Sequence, residues 1–454
     1  MRSALLHFQL TLVLLAAASV AIAQTAKDSS SVALSWNGEW RNYVMYTGNE
    51  GALKDWNALA TGGRAGRKWI FPKDFSLGIQ AYATVRVLGN DNSAPDSAAG
   101  AGSRYEPTLF DRANPSRDIT AFVGQLYLDY SDEKNTVRVG RQLFESPLLN
   151  GQDGRMIPTL VEGLWLSRKE KKMDFGVGYI WAIAPRGIGG FSSVENTFGA
   201  LTQGKSVLGA PADYRGNIDS RGMVVAKVEM KPTTLFGFRA WNYYVDNVFN
   251  SLYLEADQSF SISEQMRLKI SGQYIWQSQI NGGGNVELAK AYFDQDQSHT
   301  FGLKGDLKLK EQWTFTLAGN ATTDRGRFLF PREWGREELY TFLRRERSEG
   351  SGASKAVMMM VQRKNGPWDL KVAWGRYWRS APEDALFNKY GMPSYNHVEL
   401  AVKRQFSGPF SRLNAELIFV YKYDPFGNEY APQYTINRVN MVHVDFILNY
   451  RLGG

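Results

Sequence analysis

The stretch "FSLGIQAYATVRVL", residues 75–88, decides the fold class. Its odd positions, Phe75, Leu77, Ile79, Ala81, Ala83, Val85 and Val87, are all apolar, while its even positions, Ser76, Gly78, Gln80, Tyr82, Thr84 and Arg86, are polar or small. Successive side chains of a strand point to opposite faces, so this is a strand with one greasy and one wet side. The pattern recurs. In 266–277, Leu268, Ile270, Tyr274 and Trp276 oppose Arg267, Lys269, Ser271 and Gln273. In 299–309, Phe301, Leu303 and Leu307 oppose Lys304, Asp306 and Lys308; in 412–423, Leu413, Leu417, Phe419 and Tyr421 oppose Arg412, Asn414, Glu416 and Lys422.

A soluble sandwich also alternates. Two features favour lipid on the greasy side. The alternating runs are about ten to fourteen residues long, against about five or six for a globular strand and nine to eleven for a tilted membrane strand. Aromatic residues also sit at the ends of the apolar stripes, as at a membrane interface: Trp36, Tyr46, Trp69, Trp181, Trp276, Trp313, Trp368, Trp374 and Tyr450. Without helices, only a closed barrel satisfies every backbone N–H and C=O in hydrocarbon.

The address agrees. Arg2 precedes the apolar run "LTLVLLAAASVAIA" (10–23), and Ala21-Ile22-Ala23 has the small-x-small form of a cleavage site, so residues 1–23 read as a secretory signal peptide and 24–454 as one exported domain. The 454-residue chain has no Cys, so no disulfide supports it after export. No later segment is long and apolar enough for a transmembrane helix. The expectation is an all-β transmembrane antiparallel barrel in the outer membrane.

Strands are expected near 34–46, 58–69, 75–88, 121–130, 136–142, 160–168, 173–182, 221–230, 235–245, 250–260, 266–277, 298–309, 313–323, 355–364, 368–378, 395–406, 412–423 and 439–452, about eighteen in all. A barrel of that size encloses water rather than a packed core. Joins alternate in length. Short ones such as 263–265 and 309–312 suit the periplasmic rim; 89–120, 183–220, 278–297 and 324–354, rich in Gly, Asn, Asp and Ser, read as solvated outer loops.

One join is unusual. Residues 143–159, "LFESPLLNGQDGRMIPT", contain Pro147 and Pro158 and cannot continue a strand. Leu143, Phe144, Leu148, Leu149, Met156 and Ile157 suit a loop folded inward against the wall, with Glu145, Ser146, Asn150, Asp153 and Arg155 bordering the channel. From the residues alone the segment is either a constriction loop or a packed outer loop with no part in transport.

"WRNYVMYTGNEGALKDW" (40–56), "DGRMIPT" (153–159), "VEGLWL" (161–166) and "GYIWAIAP" (178–185) resemble the OprD-type outer-membrane porin family, the outer-membrane carboxylate channels. The resemblance implies an eighteen-stranded pore, monomeric or weakly trimeric, that passes small carboxylate-bearing solutes. It also implies a third outer loop folded into the pore and an arginine ladder on the wall; Arg155 and Arg41 match that pattern. Near the C-terminus the family tends to carry Arg-x-Arg on the lumen side, whereas "LNAELIF" here places Asn414, Glu416 and Ile418. The chain also ends "NYRLGG", without a terminal aromatic.

Strand parity turns Arg41, Arg86, Arg138, Arg267, Lys269, Lys304 and Lys308 toward the lumen. Such charge between low-dielectric walls attracts anions, and rings of Arg or Lys select them. The formal net charge of +8, one unit lower without Arg2, is modest. The mixed run "PREWGREELYTFLRRERSEG" (331–350) reads as a self-paired outer loop that could also funnel solutes. The expected function is passive diffusion of small water-soluble solutes, favouring anions; the alternative is an oligosaccharide or large-solute channel. Expected partners are outer-membrane lipids and small solutes, without nucleic acid. No enzyme, cofactor or metal is expected: Ser298 and His299 are adjacent and point to opposite faces, and Asp294 and Asp296 read as a solvated turn rather than a Ca²⁺ site.

Overall fold

The computed structural model describes residues 33–90, 94–152 and 155–453. The expected signal peptide, 1–23, and Asp153 lie outside them. The strands are β1 (Ala33–Asn49), β2 (Trp56–Ile70), β3 (Phe75–Gly89), β4 (Ile119–Ser131), β5 (Asn135–Gln142), β6 (Leu160–Lys169), β7 (Met173–Ala184), β8 (Ser192–Ser193), β9 (Met223–Met230) and β10 (Phe236–Val245). They continue as β11 (Phe249–Ser263), β12 (Met266–Gln279), β13 (Gln297–Leu309), β14 (Trp313–Thr322), β15 (Ser354–Asn365), β16 (Trp368–Trp378), β17 (Tyr395–Gln405), β18 (Leu413–Tyr423) and β19 (Met441–Leu452). β8 is a two-residue edge on β7, inside a loop; the other eighteen make the wall. Each wall strand pairs antiparallel with its neighbour, β7 pairs with β9 across the intervening loop, and β1 pairs with β19 from Gly38↔Leu452 to Asn49↔Met441. The sheet therefore has no open edge, which answers the hydrogen-bond demand of hydrocarbon. Among the described residues no helix is long and apolar enough to cross a membrane.

Parity along each strand separates two environments. In β1, Leu34, Trp36, Trp40 and Val44 are exposed on the outside, while Tyr43 and Met45 are buried inside. Leu303 and Leu317 are 65% and 63% exposed on the outer face, a surface that water would oppose and lipid tails accept. Trp36 and Trp368 are exposed outward near one rim and Tyr46 near the other, at interfacial height. β2 approaches its neighbours closely: Gly63 has φ 140°, and a Cβ there would meet the Glu39 carbonyl at 1.8 Å, so only glycine fits beside the lumen-facing Glu39 and Arg41.

The strands match the expected segments to within about three residues at each end; most are longer, where pairing continues past the apolar stripe, while β9 and β19 start two residues later than expected. Two expectations about the joins fail. Lengths do not strictly alternate, because the connection 246–248 between β10 and β11 is tight although it lies on the long-loop rim. The long loops are also not solvated arches. Phe198, Tyr214, Tyr292, Phe293, Phe328, Phe330 and Trp334 bury themselves in one cluster with wall residues Tyr243, Phe249 and Tyr253. Trp334 is fully buried, edge-on to Phe198 at 4.9 Å and Phe330 at 5.5 Å, with Nε1 donating to Thr197 Oγ1 at 2.8 Å. The aromatic residues of three loops thus form a core inside the outer half of the barrel.

Candidate functional site: a basic chamber between the loops

Residues 143–159 leave β5 and turn inward. Phe144 packs edge-on against Trp165 of β6 at 4.9 Å and Trp241 of β10 at 6.3 Å. Leu148, Leu149, Met156 and Ile157 are buried, and Leu143 packs at the edge of the cluster around Met156 and Ile157. Tyr243 Oη, inside β10, donates to Ser146 Oγ at 2.9 Å and accepts from the Leu148 N–H at 3.3 Å. From midway along β1, Arg41 donates to the carbonyl of Arg155, so the loop descends to that level of the wall.

A second segment, 323–353, enters the lumen as well, which corrects the expectation of a self-paired outer loop. Arg332–Glu349 (2.6 Å) and Arg347–Glu337 (2.9 Å) are pairs within the segment. Arg344, however, reaches Glu416 of β18 at 2.5 Å, and its N–H donates to Glu399 of β17 at 2.7 Å. Arg345 bonds Asp445 and His443 of β19 and Tyr43 of β1. Glu338 pairs with Arg239 of β10 at 2.9 Å, and Tyr377 of β16 donates to the Thr341 carbonyl. The segment is thus tied to opposite sides of the wall. Glu416, the departure from the family pattern noted in the sequence, anchors a loop arginine here.

Between the loops lies a chamber of about 280 Å³ lined by ten arginines and one glutamate, Glu346. Arg104 and Arg112 come from 90–118, Arg155 from 143–159, Arg186 from 185–222, Arg438 from 424–440, and Arg332, Arg336, Arg344, Arg345 and Arg347 from 323–353. Four of these pair with carboxylates outside the lining, as given above. Arg104, Arg112, Arg336 and Arg438 have no carboxylate at ion-pair distance among the described residues. Burial, reinforced by Arg104 and Arg332, lowers Arg438 to about 9; burial, with Arg155 and Arg104 adding to it, lowers Arg112 to about 10. The chamber therefore carries an excess of crowded positive charge.

A smaller cavity of about 200 Å³ lies against β1, β2 and β3, lined by Glu39, Arg41, Arg64, Tyr82, Glu145 and Met156 among others. Gln152 lines both spaces. Its side chain accepts from Arg347 Nη2 at 2.9 Å and donates to the Arg332 carbonyl at 3.1 Å, joining the two inward segments where the cavities meet.

The residues expected at the site scatter. Arg155 lines the basic chamber, its Nη1 donating to the Tyr105 carbonyl at 3.0 Å. Arg41 and Glu145 line the smaller cavity; Arg41 also bonds Asn449 and pairs with Glu39 at 3.0 Å, and limited water around the Glu145 carboxyl raises it. Ser146 and Asn150, expected to border the channel, are buried: Ser146 Oγ donates to the Leu149 carbonyl, and Asn150 Nδ2 to those of Ser146 and Arg336. In a proline-broken segment, short polar side chains satisfy the stranded backbone instead. The wall cations do not form a free ladder. Arg138 is held by both Asp129 oxygens (3.0 and 3.1 Å), Lys269 by Asp257 (3.2 Å), Lys304 by Asp306 (3.1 Å), and Arg86 by Asp118 (3.4 Å) while lying over the Phe110 ring. Arg267 and Lys308 are exposed and directly opposite each other near the short-turn rim. Asp294, expected in a solvated turn, is buried against the fully buried Arg327.

Arg104, Arg112, Arg186 and Arg438 carry no periodic signal, because they sit in three irregular loops that are far apart in the sequence. The arginine density of 331–350 was visible; that its acids would be drawn aside was not.

The model of the outer membrane porin, OprD family, matches residues 96–321. Among curated proteins none matches the sequence. In fold the chain is similar to Pseudomonas aeruginosa OpdK with vanillate (TM-score 0.69, 14% identity, covering 93% of this chain and 99% of that one). It is also similar to Pseudomonas aeruginosa OccK2 (OpdF) in complex with glucuronate (0.68, 12%, 92% and 96%) and to Acinetobacter baumannii OccAB4 (0.69, 14%, 92% and 98%).

Proposed function

Because the chain belongs to the OprD family of outer-membrane porins, we propose that it passes small anionic, carboxylate-bearing solutes, and that segments 143–159 and 323–353 narrow its path. Residues 1–23 serve as the export signal and 24–454 as the channel. The carrying observation is the chamber with ten arginines and a single glutamate in its lining. Walls of low dielectric focus that charge, and an arginine fork receives a carboxylate through two parallel hydrogen bonds. The solutes in the OpdK and OccK2 structures, vanillate and glucuronate, both carry a carboxylate, which supports this class of solute. Passage needs weak binding, and bonds to several neighbouring donors can be exchanged stepwise as a solute moves on.

Planar-bilayer recordings in a salt gradient test the reading. The expected reversal potential has the sign of anion preference, and Arg155→Glu lowers or inverts it. Cation preference in the wild type overturns the proposal; an unchanged potential in the variant removes Arg155 from the selective site.

A further inference from the structure

We propose that the basic chamber is a binding site for a small anion carrying two or more negative charges, rather than for monocarboxylates as a class. This deepens the anion-channel reading and rests on it for its role in transport. Three chamber arginines without acid partners, Arg104 and Arg112 of 90–118 and Arg438 of 424–440, act on one another. Arg104 bears on both of the others, and together with burial it lowers each. Each is held in place without being neutralised. Arg112 Nη2 donates to the Leu201 carbonyl at 3.1 Å, Arg438 Nη1 donates to the Gly391 carbonyl at 3.0 Å, and Arg104 lies 5.7 Å from the centre of the Tyr105 ring. Tyr105 is itself fixed, its Oη donating to the Asn437 carbonyl at 3.1 Å and its carbonyl accepting from Arg155.

Oriented, crowded cations of this kind repel one another until a counter-charge arrives. One carboxylate offers two acceptor oxygens and one charge, enough to satisfy a single guanidinium fork. The remaining forks stay uncompensated in a partly dehydrated space, which is costly. Two or three carboxylates on one small skeleton, or a phosphate, match the donors both in number and in charge. A chamber of about 280 Å³ admits a molecule of that size.

The test is calorimetric titration of the detergent-purified full-length protein with acetate, succinate, citrate and inorganic phosphate at fixed ionic strength. Succinate, citrate or phosphate is expected to bind at least about tenfold more tightly than acetate. The order of citrate and phosphate separates a polycarboxylate from a phosphate ligand. Arg104→Gln with Arg438→Gln should bring the tight ligand to the acetate level while the heat-modifiable gel mobility of the folded barrel is unchanged. Equal binding of all four anions, or wild-type affinity in the folded double variant, overturns the proposal. Binding is read without conduction, so a barrel that prefers cations yet binds citrate tightly sinks the channel reading and leaves this site standing.

Discussion

Lys389 shows how far a single residue departs from what its type suggests. It is buried, its Nζ lies 4.7 and 4.4 Å from the ring centres of Tyr214 and Tyr292, and its nearest carboxylate oxygen, on Glu349, is 3.8 Å away. Burial, with Arg327 adding to it, lowers the ammonium to about 8 against the opposing pull of Glu349. A released lysine titrates near 10.4. Between about 8 and 10 the docked loop holds fewer protons than the released one, so docking strengthens as pH rises through that window and weakens as pH falls through it. Hydrogen exchange in 379–394, corrected for intrinsic rates, should therefore be slower at pH 9.5 than at pH 7.5, and Lys389→Met should flatten the difference. A pH-independent wild type would count against the account. At this scale the sequence shows which way a wall residue points, as parity did for Arg41. It also makes one pairing readable, Lys304 with Asp306, two residues apart on one face. It does not show Arg138 with Asp129 or Lys269 with Asp257, because those depend on cross-strand register.

Elements divide into those whose local pattern is sufficient and those whose partners are distant. Strands belong to the first kind: period-two alternation located all eighteen wall strands, since each residue's face follows from its neighbour's. The loops belong to the second. The run 331–350 looks self-neutralising in one dimension, yet Arg344 and Arg345 discharge onto Glu416 and Asp445 of the wall. Asp445→Asn should loosen 323–353, since removing one partner of a buried ion pair costs about 3–5 kcal/mol. The expected readouts are faster protease cleavage within the segment and noisier single-channel current, with the barrel still folded. Wild-type cleavage and noise in the variant would mean that the loop is held by its other bonds alone. The apolar residues of 143–159 were legible as wall-packing side chains, but Ser146 and Asn150 were not legible as braces, because their acceptors are carbonyls exposed only by the loop's own path.

The whole molecule is organised by two solvents, lipid outside and water within. Leu317, 63% exposed on the outer face of β14, faces lipid, and an arginine at bilayer depth costs about 2–4 kcal/mol. Leu317→Arg should reduce the fraction of protein that folds into lipid vesicles, scored by gel mobility before heating, whereas Thr316→Ser on the inner face of the same strand should leave it near wild type. Equal folding of both variants would place lipid elsewhere. The sequence by itself determined the barrel, its strand number and its membrane-facing surface, because a two-sided wall writes its environments into every second residue. Tertiary structure alone decided where the charge acts. Loop arginines remote in the chain converge only after closure of the wall brings their loops over one opening, and the wall acids that quench some of them leave the others unquenched.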